Sequence, residues 1–235
     1  MSGMMSFLSS NWYLVLIAVV IAYLLGSVNT AVIVTKIFTK GKEDIREMGS
    51  GNAGFTNVLR SVGKVPAILT IVCDLLKSVI AVLIGGWLFS IAAGNSENID
   101  AVVRVGKYIC GFFCILGHSY PIYFHFKGGK GIVTAAGMML VADWRVFLLI
   151  LGTFLIVFLI SKIISLASII CACMFPIYTF LLTFFIDYQN GGYPLLYVLL
   201  CTLAALGICV FVVIKHSSNI GRLIRGEEKK IKAKK

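Results

Sequence analysis

Two short glycine-rich stretches carry the residues of this chain best suited to chemistry. Residues 48–60, MGSGNAGFTNVLR, lie between two long apolar runs. Gly49, Gly51 and Gly54 let backbone N–H groups converge on a ligand. Ser50, Asn52, Thr56 and Asn57 add short hydrogen-bonding side chains, and Arg60 adds a planar fork of donors suited to phosphate. Residues 126–131, FKGGKG, repeat the theme: Gly128, Gly129 and Gly131 alternate with Lys127 and Lys130 at the foot of another apolar run. A plain connecting loop uses the same residue types. Two such loops in one small, apolar chain point instead to phosphate chemistry at a bilayer surface.

Other polar residues stand inside apolar surroundings. Asp74 and Lys77 are three apart and share a helix face. An ionisable pair at that depth is a functional candidate, or else a self-neutralising tether between helices. His118 precedes the 126–131 loop and is either a packing residue or a member of the site. The seven cysteines all lie in apolar runs, without a CxxC pair or a neighbouring His or acid at metal-ligand spacing. They read as small packing residues, and no metal or cofactor is expected.

The elements that must position these residues are membrane helices. Of the 235 residues, 59% are hydrophobic and 13% charged, and the mean hydropathy is +0.97; a soluble domain carries roughly 25% charged residues. The pattern predicts an all-α integral membrane protein with about seven transmembrane helices, over residues 12–34, 65–89, 106–124, 132–141, 146–160, 165–186 and 193–214. The fourth piece is short for a full crossing. The first run lacks a basic leader and a small-residue cleavage pattern, so it reads as a retained span. Residues 1–235 read as one polytopic membrane domain, with 215–235 a basic tail.

The net charge of +11 could suggest nucleic acid, but the basic residues gather between and after apolar segments, which argues against it. Only Arg104, Lys107 and Arg145 fall on one side of the predicted topology. The positive-inside rule then puts the N-terminus outside and the C-terminus, with both glycine loops, in the cytoplasm. A transporter would account for the Asp74–Lys77 pair, but not for polar motifs confined to one face, and no internal repeat is evident.

Four segments, in order, resemble the membrane glycerol-3-phosphate acyltransferases that use acyl phosphate, the PlsY family. They are GSGNAGFTNVLR at 49–60, GHSYPIYFHFKGGKGIVTA at 117–135, SKIISLAS at 161–168 and HSSNIGRLIRGEEKK at 216–230. The chain departs from the family pattern at Phe55, at Ser217 and at Ser161–Lys162. The resemblance implies transfer of a fatty acyl group from acyl phosphate to the sn-1 hydroxyl of glycerol 3-phosphate. The products would be lysophosphatidic acid and inorganic phosphate, made in bacterial phospholipid synthesis. A coenzyme-A-dependent acyltransferase normally uses a His-x4-Asp pair, and none of His118, His125 or His216 has one.

The resemblance also distributes roles. Ser50, Asn52, Arg60, Lys130, His216 and Asn219 form the catalytic set. Gly49, Gly51, Gly54, Asn57, Lys127, Gly128, Gly129, Gly131, Ser165, Ser168 and Arg222 bind substrate or phosphate, and His118 and Glu228 are structural. An acyl phosphate already has a good leaving group. The protein therefore needs positioning and charge stabilisation more than a covalent nucleophile. The base for the hydroxyl is either His216 or a substrate phosphate oxygen. The expected setting is a monomer in the bacterial cell membrane, its site facing the cytoplasm, with acyl phosphate, glycerol 3-phosphate and the bilayer as partners.

Overall fold

The computed structural model describes residues 10–94 and 98–230. Every regular element among them is helical, and the chain is an all-α integral membrane protein. The described residues fall into two compact units that divide between Ala142 and Asp143. The expectations for residues 1–9 and for the last five lysine-rich positions lie outside the described residues.

In the first unit, α1 (Trp12–Gly26) and α2 (Thr30–Phe38) make one apolar run with a break between them. The Asn29 side chain caps α2 by accepting from the Val32 N–H at 3.2 Å, and Ser27 Oγ donates to the Tyr23 carbonyl at 2.8 Å. Non-helical backbone at this depth survives only where protein groups satisfy it. Here the Val28 carbonyl accepts from Lys77 Nζ at 2.7 Å. Then come α3 (Phe55–Ser61), α4 (Lys64–Ala93), α5 (Ile99–Ser119) and α6 (Ile132–Ala142). Pro66 sits in the first turn of α4, where its missing N–H costs nothing. The 30-residue α4 is the spine of the unit and packs against each of its other helices. Small residues permit the closest approaches: Gly26 of α1 lies against the Cys114 backbone, and Gly117 of α5 against the Tyr23 carbonyl.

The second unit holds α7 (Trp144–Ser161), α8 (Ile164–Leu181), a π-helical segment (Leu182–Tyr188), α9 (Leu195–Lys215) and α10 (Ser217–Ile224). α8 packs against both α7 and α9. A charged staple fixes one end of this unit. Arg145 is bidentate to Asp143, at 2.9 and 2.6 Å, and bidentate to Asp187, at 2.9 Å for both bonds. Tyr197 also donates its hydroxyl to Asp187.

Among the described residues, five segments are long and apolar enough to cross a bilayer: Trp12–Phe38, Lys64–Ala93, Trp144–Ser161, Ile164–Tyr188 and Leu195–Lys215. α6 has 11 residues, about 16 Å of helix. The third predicted span is shifted. α5 starts at Ile99, inside a stretch that reads as polar, because Ala101, Val102 and Val105 bury one side of its first turns while Asp100 and Arg104 ride along. It ends at Ser119, two residues before Pro121, rather than running on to 124. Asp187, one residue past the predicted sixth span, is buried in the π-helical segment, where Arg145 and Tyr197 hold it.

Candidate active site

The first glycine loop is tied down by one buried amide. Asn57, on α3, donates to the carbonyls of Ile45 and Met48 at 3.0 and 2.9 Å. Its Oδ1 accepts from the Ser50 N–H at 3.0 Å and the Ser61 hydroxyl at 3.4 Å. All the hydrogen-bonding capacity of the amide is thereby spent inside the loop. The structure gives Asn57 the work of holding the loop's shape rather than a surface for ligand. Gly49 has φ of +55°, and a Cβ there would strike the Asn57 amide. Gly51 also has positive φ, whereas Gly54 is extended and precedes α3. Ser50 is exposed, Asn52 half-buried, and Arg60 exposed on the last turn of α3.

Arg46 links this loop to the second motif. Its guanidinium is bidentate to Asp44, at 2.9 and 2.7 Å, and donates to the Phe124 carbonyl at 2.9 Å. The hydrogen bond from Arg46 holds the Asp44 carboxyl below its usual range, and the same contact raises the Arg46 guanidinium. The Phe124 carbonyl lies 78 residues from Arg46 along the chain, so the sequence around Arg46 gives no sign of this contact.

The second loop folds back on the end of α5. His118 does not sit one or two helical turns from Lys127, as helix continuation would place it. The helix stops, the chain reverses, and the Gly129 N–H donates to the His118 carbonyl at 3.2 Å. Gly129 has no room for a side chain: a Cβ would collide with His118 Nε2 and come within 2.6 Å of the Ala53 carbonyl. The two glycine loops therefore meet, with the His118 ring beside the junction. Lys127 is exposed, Gly128 and Lys130 are half-buried, and Gly131, with φ of +82°, leads into α6. That N-terminus is the positive end of a helix dipole.

A cavity of about 550 Å³ opens beside the first loop. Its lining carries Glu43, Asp44 and Glu47 against Lys42, the wrong sign for phosphate.

The remaining predicted site residues lie in the second unit. Ser165 and Ser168 are buried on one face of α8. Ser165 donates its hydroxyl to Glu228 Oε1 at 2.7 Å, Asn219 donates its amide to the same oxygen at 2.7 Å, and Arg222 donates to Oε2 at 2.6 Å. Burial opposes ionisation of Glu228, but the hydrogen bonds from Ser165, Arg222 and Asn219 outweigh it and hold the carboxyl below the usual glutamate range. Three of the predicted site residues, Ser165, Asn219 and Arg222, thus share one carboxylate, and Glu228 joins the tail to α8. His216 is buried between α9 and α10, with Nδ1 2.8 Å from the Val212 carbonyl. A carbonyl only accepts, so Nδ1 carries a proton, and in the neutral ring Nε2 bears the lone pair.

Among the described residues, no group of His, Cys, Asp and Glu could hold a metal ion. The arrangement offers hydrogen-bond donors and cations for anions, and in His216 an imidazole whose Nδ1 is held by a backbone carbonyl.

Comparison with known proteins places this geometry. A family model described as glycerol-3-phosphate acyltransferase matches residues 16–226. The chain is 36% identical to the glycerol-3-phosphate acyltransferase of Idiomarina loihiensis over 219 residues, covering 93% of this chain and 97% of that one. It is 40% identical to the enzyme of that name from Trichormus variabilis over 220 residues, covering 91% and 90%. Two crystal structures of PlsY, an integral membrane glycerol 3-phosphate acyltransferase, superpose with TM-scores of 0.70 and 0.69 at 35% identity. Both cover 93% of this chain, with 96% and 95% of theirs matched; one is a glycerol 3-phosphate form and the other a lysophosphatidic acid form. This chain belongs to the glycerol-3-phosphate acyltransferase family, as an integral membrane acyltransferase.

Proposed function

We propose that the protein transfers a fatty acyl group from acyl phosphate to the sn-1 hydroxyl of glycerol 3-phosphate, releasing lysophosphatidic acid and inorganic phosphate. One observation carries this reading above the others. The chain is similar over nearly its whole length to an enzyme solved in a glycerol 3-phosphate form and in a lysophosphatidic acid form, the acceptor and the product of this reaction.

The chain's own residues support it. Both substrates carry phosphate, and charge-assisted hydrogen bonds from cations and backbone N–H groups are the strong way to hold one. In this reading Ser50, Asn52, Gly51 and Gly54 cradle phosphate and polarise the acyl carbonyl, Arg60 and Lys130 hold phosphate charge, and Arg222 and Asn219 orient the acceptor. The acceptor oxygen attacks the acyl carbon, its proton passes to a base, and the carbon–oxygen bond to phosphate breaks. His216 has the tautomer a base needs; the second candidate is a substrate phosphate oxygen. The excess of Lys and Arg on the glycine-loop side puts the site at the cytoplasmic surface of a bacterial cell membrane. A monomer and a single functional domain complete the reading.

The test is acyl transfer by purified protein supplied with glycerol 3-phosphate and either palmitoyl phosphate or palmitoyl-coenzyme A. Lysophosphatidic acid and phosphate are expected from palmitoyl phosphate alone. Product from palmitoyl-coenzyme A alone would overturn the assignment of donor. Uptake of glycerol 3-phosphate into vesicles without acyl transfer would favour a transporter.

A further inference from the structure

A buried charged cluster stands directly behind the junction of the two glycine loops. The side chains of Asp74, Lys77 and His118 are 2%, 7% and 5% exposed. Lys77 Nζ donates to the Val28 carbonyl at 2.7 Å, lies 2.7 Å from Asp74 Oδ1 and 3.0 Å from His118 Nδ1. Thr30 Oγ1 donates to the same Asp74 oxygen at 2.7 Å. An ammonium has three protons and no lone pair, so its partners are all acceptors. His118 Nδ1 is one of them, which assigns the proton of the neutral ring to Nε2. That Nε2 and the Ala53 carbonyl line the gap left by the missing Cβ of Gly129, and the His118 carbonyl holds the Gly129 N–H.

A helix tether alone does not require this arrangement. Burying an ion pair carries a desolvation cost, and well-packed apolar residues often do the same holding as well or better. The cluster instead does something apolar residues cannot: it fixes the tautomer and rotation of a ring at the point where the loops meet.

We propose that Asp74 and Lys77 are positioning residues of the phosphate cradle, acting through the His118 ring to set the spacing between the Ala53 and Gly129 loops. The inference rests on the acyl-transfer reading and extends it to residues with no place in the glycine motifs. Asp74 and Lys77 touch no substrate. Their effect passes from the ammonium to Nδ1, and from Nε2 to the loop junction, in the way outer partners orient the ligands of a metal site.

The experiment uses the double variant Asp74→Asn/Lys77→Met, which removes both charges and leaves no unpaired ion. Its affinity is read with hexadecylphosphonate, a chain-bearing anion that cannot transfer an acyl group. The dissociation constant is expected to rise about tenfold or more, with an unfolding midpoint close to that of the unsubstituted protein. Equal affinity in the folded double variant overturns the proposal. If that variant does not fold, His118→Asn and His118→Gln decide. Asn keeps an acceptor near the Nδ1 position and loses the group at Nε2, whereas Gln places an amide near Nε2. Gln is expected to bind at least several-fold more tightly than Asn, and equal affinities would overturn the positioning role. Because binding is read without turnover, absence of acyl transfer by the unsubstituted protein would count against the reaction and leave this comparison decisive.

Discussion

Two charge clusters among the described residues, one on Arg145 and one on Lys77, are built on opposite plans. Arg145 with Asp143 and Asp187 is closed: the guanidinium fork is taken up by two carboxylates, and Tyr197 adds a further donor. Asp143 caps the start of α7 and Asp187 lies in the π-helical segment, so the cluster ties the ends of two helices. Asp74 with Lys77 also neutralises itself, but its third group is an imidazole that reaches the loop junction. A charge cluster that consumes its own donors serves the fold. One that ends on a glycine loop reaches, on the proposed reading, the site.

Arg145→Ala should therefore produce the largest change in stability. It strands two buried carboxylates, a loss of about 3–5 kcal/mol, read as a fall of about 10 °C in the thermal unfolding midpoint in detergent. Turnover per folded molecule should be kept; a loss of turnover without a loss of stability would erase the distinction between the clusters. Arg60→Ala and Lys130→Ala should do the reverse. Each is expected to lower kcat/KM about a hundredfold with little change in the midpoint. Near-normal turnover in both would remove the phosphate cradle from the account.

Glu228 lies between these extremes. Its folded pKa is depressed, so its contribution to stability is complete above the ordinary glutamate pKa and is lost as pH falls through the folded value. Glu228→Gln should unfold earlier than the unsubstituted protein at pH 7, with the gap closing below about pH 4. A gap independent of pH would mean that the carboxylate's charge does not hold the tail. Smallest of all, Lys229→Ala and Lys230→Ala should leave turnover within about twofold, because these exposed tail lysines act mainly as attraction for anionic lipid.

Much of this was readable from sequence. Long apolar runs report membrane helices directly, since the bilayer demands continuous hydrophobic length, and α4, α7 and α9 lie within a few residues of expectation. The glycine loops were readable because glycine and cation together are chemically unusual beside apolar runs. What escaped depends on contacts between residues distant in the chain. The reversal after Pro121 brings Gly129 back to His118, which no periodicity announces. Asn57 has the residue type of a ligand group, and only its four partners reveal it as the loop's fastening. The Asp74–Lys77 pair and His118 were each visible, but not as one cluster, because the link from α4 to α5 is made by a side chain. The break after Gly26 falls inside the span read as 12–34, where Ser27, Asn29 and Thr30 make the run locally polar without showing that the helix stops there.

The most direct test of the account is one methyl group. Gly129→Ala places a Cβ against the His118 ring and the Ala53 carbonyl, where the two loops meet. Acyl transfer from palmitoyl phosphate to glycerol 3-phosphate should fall at least about tenfold in protein that elutes and unfolds like the unsubstituted enzyme. Transfer within twofold of normal would show that the junction of the glycine loops is not where the chemistry is positioned.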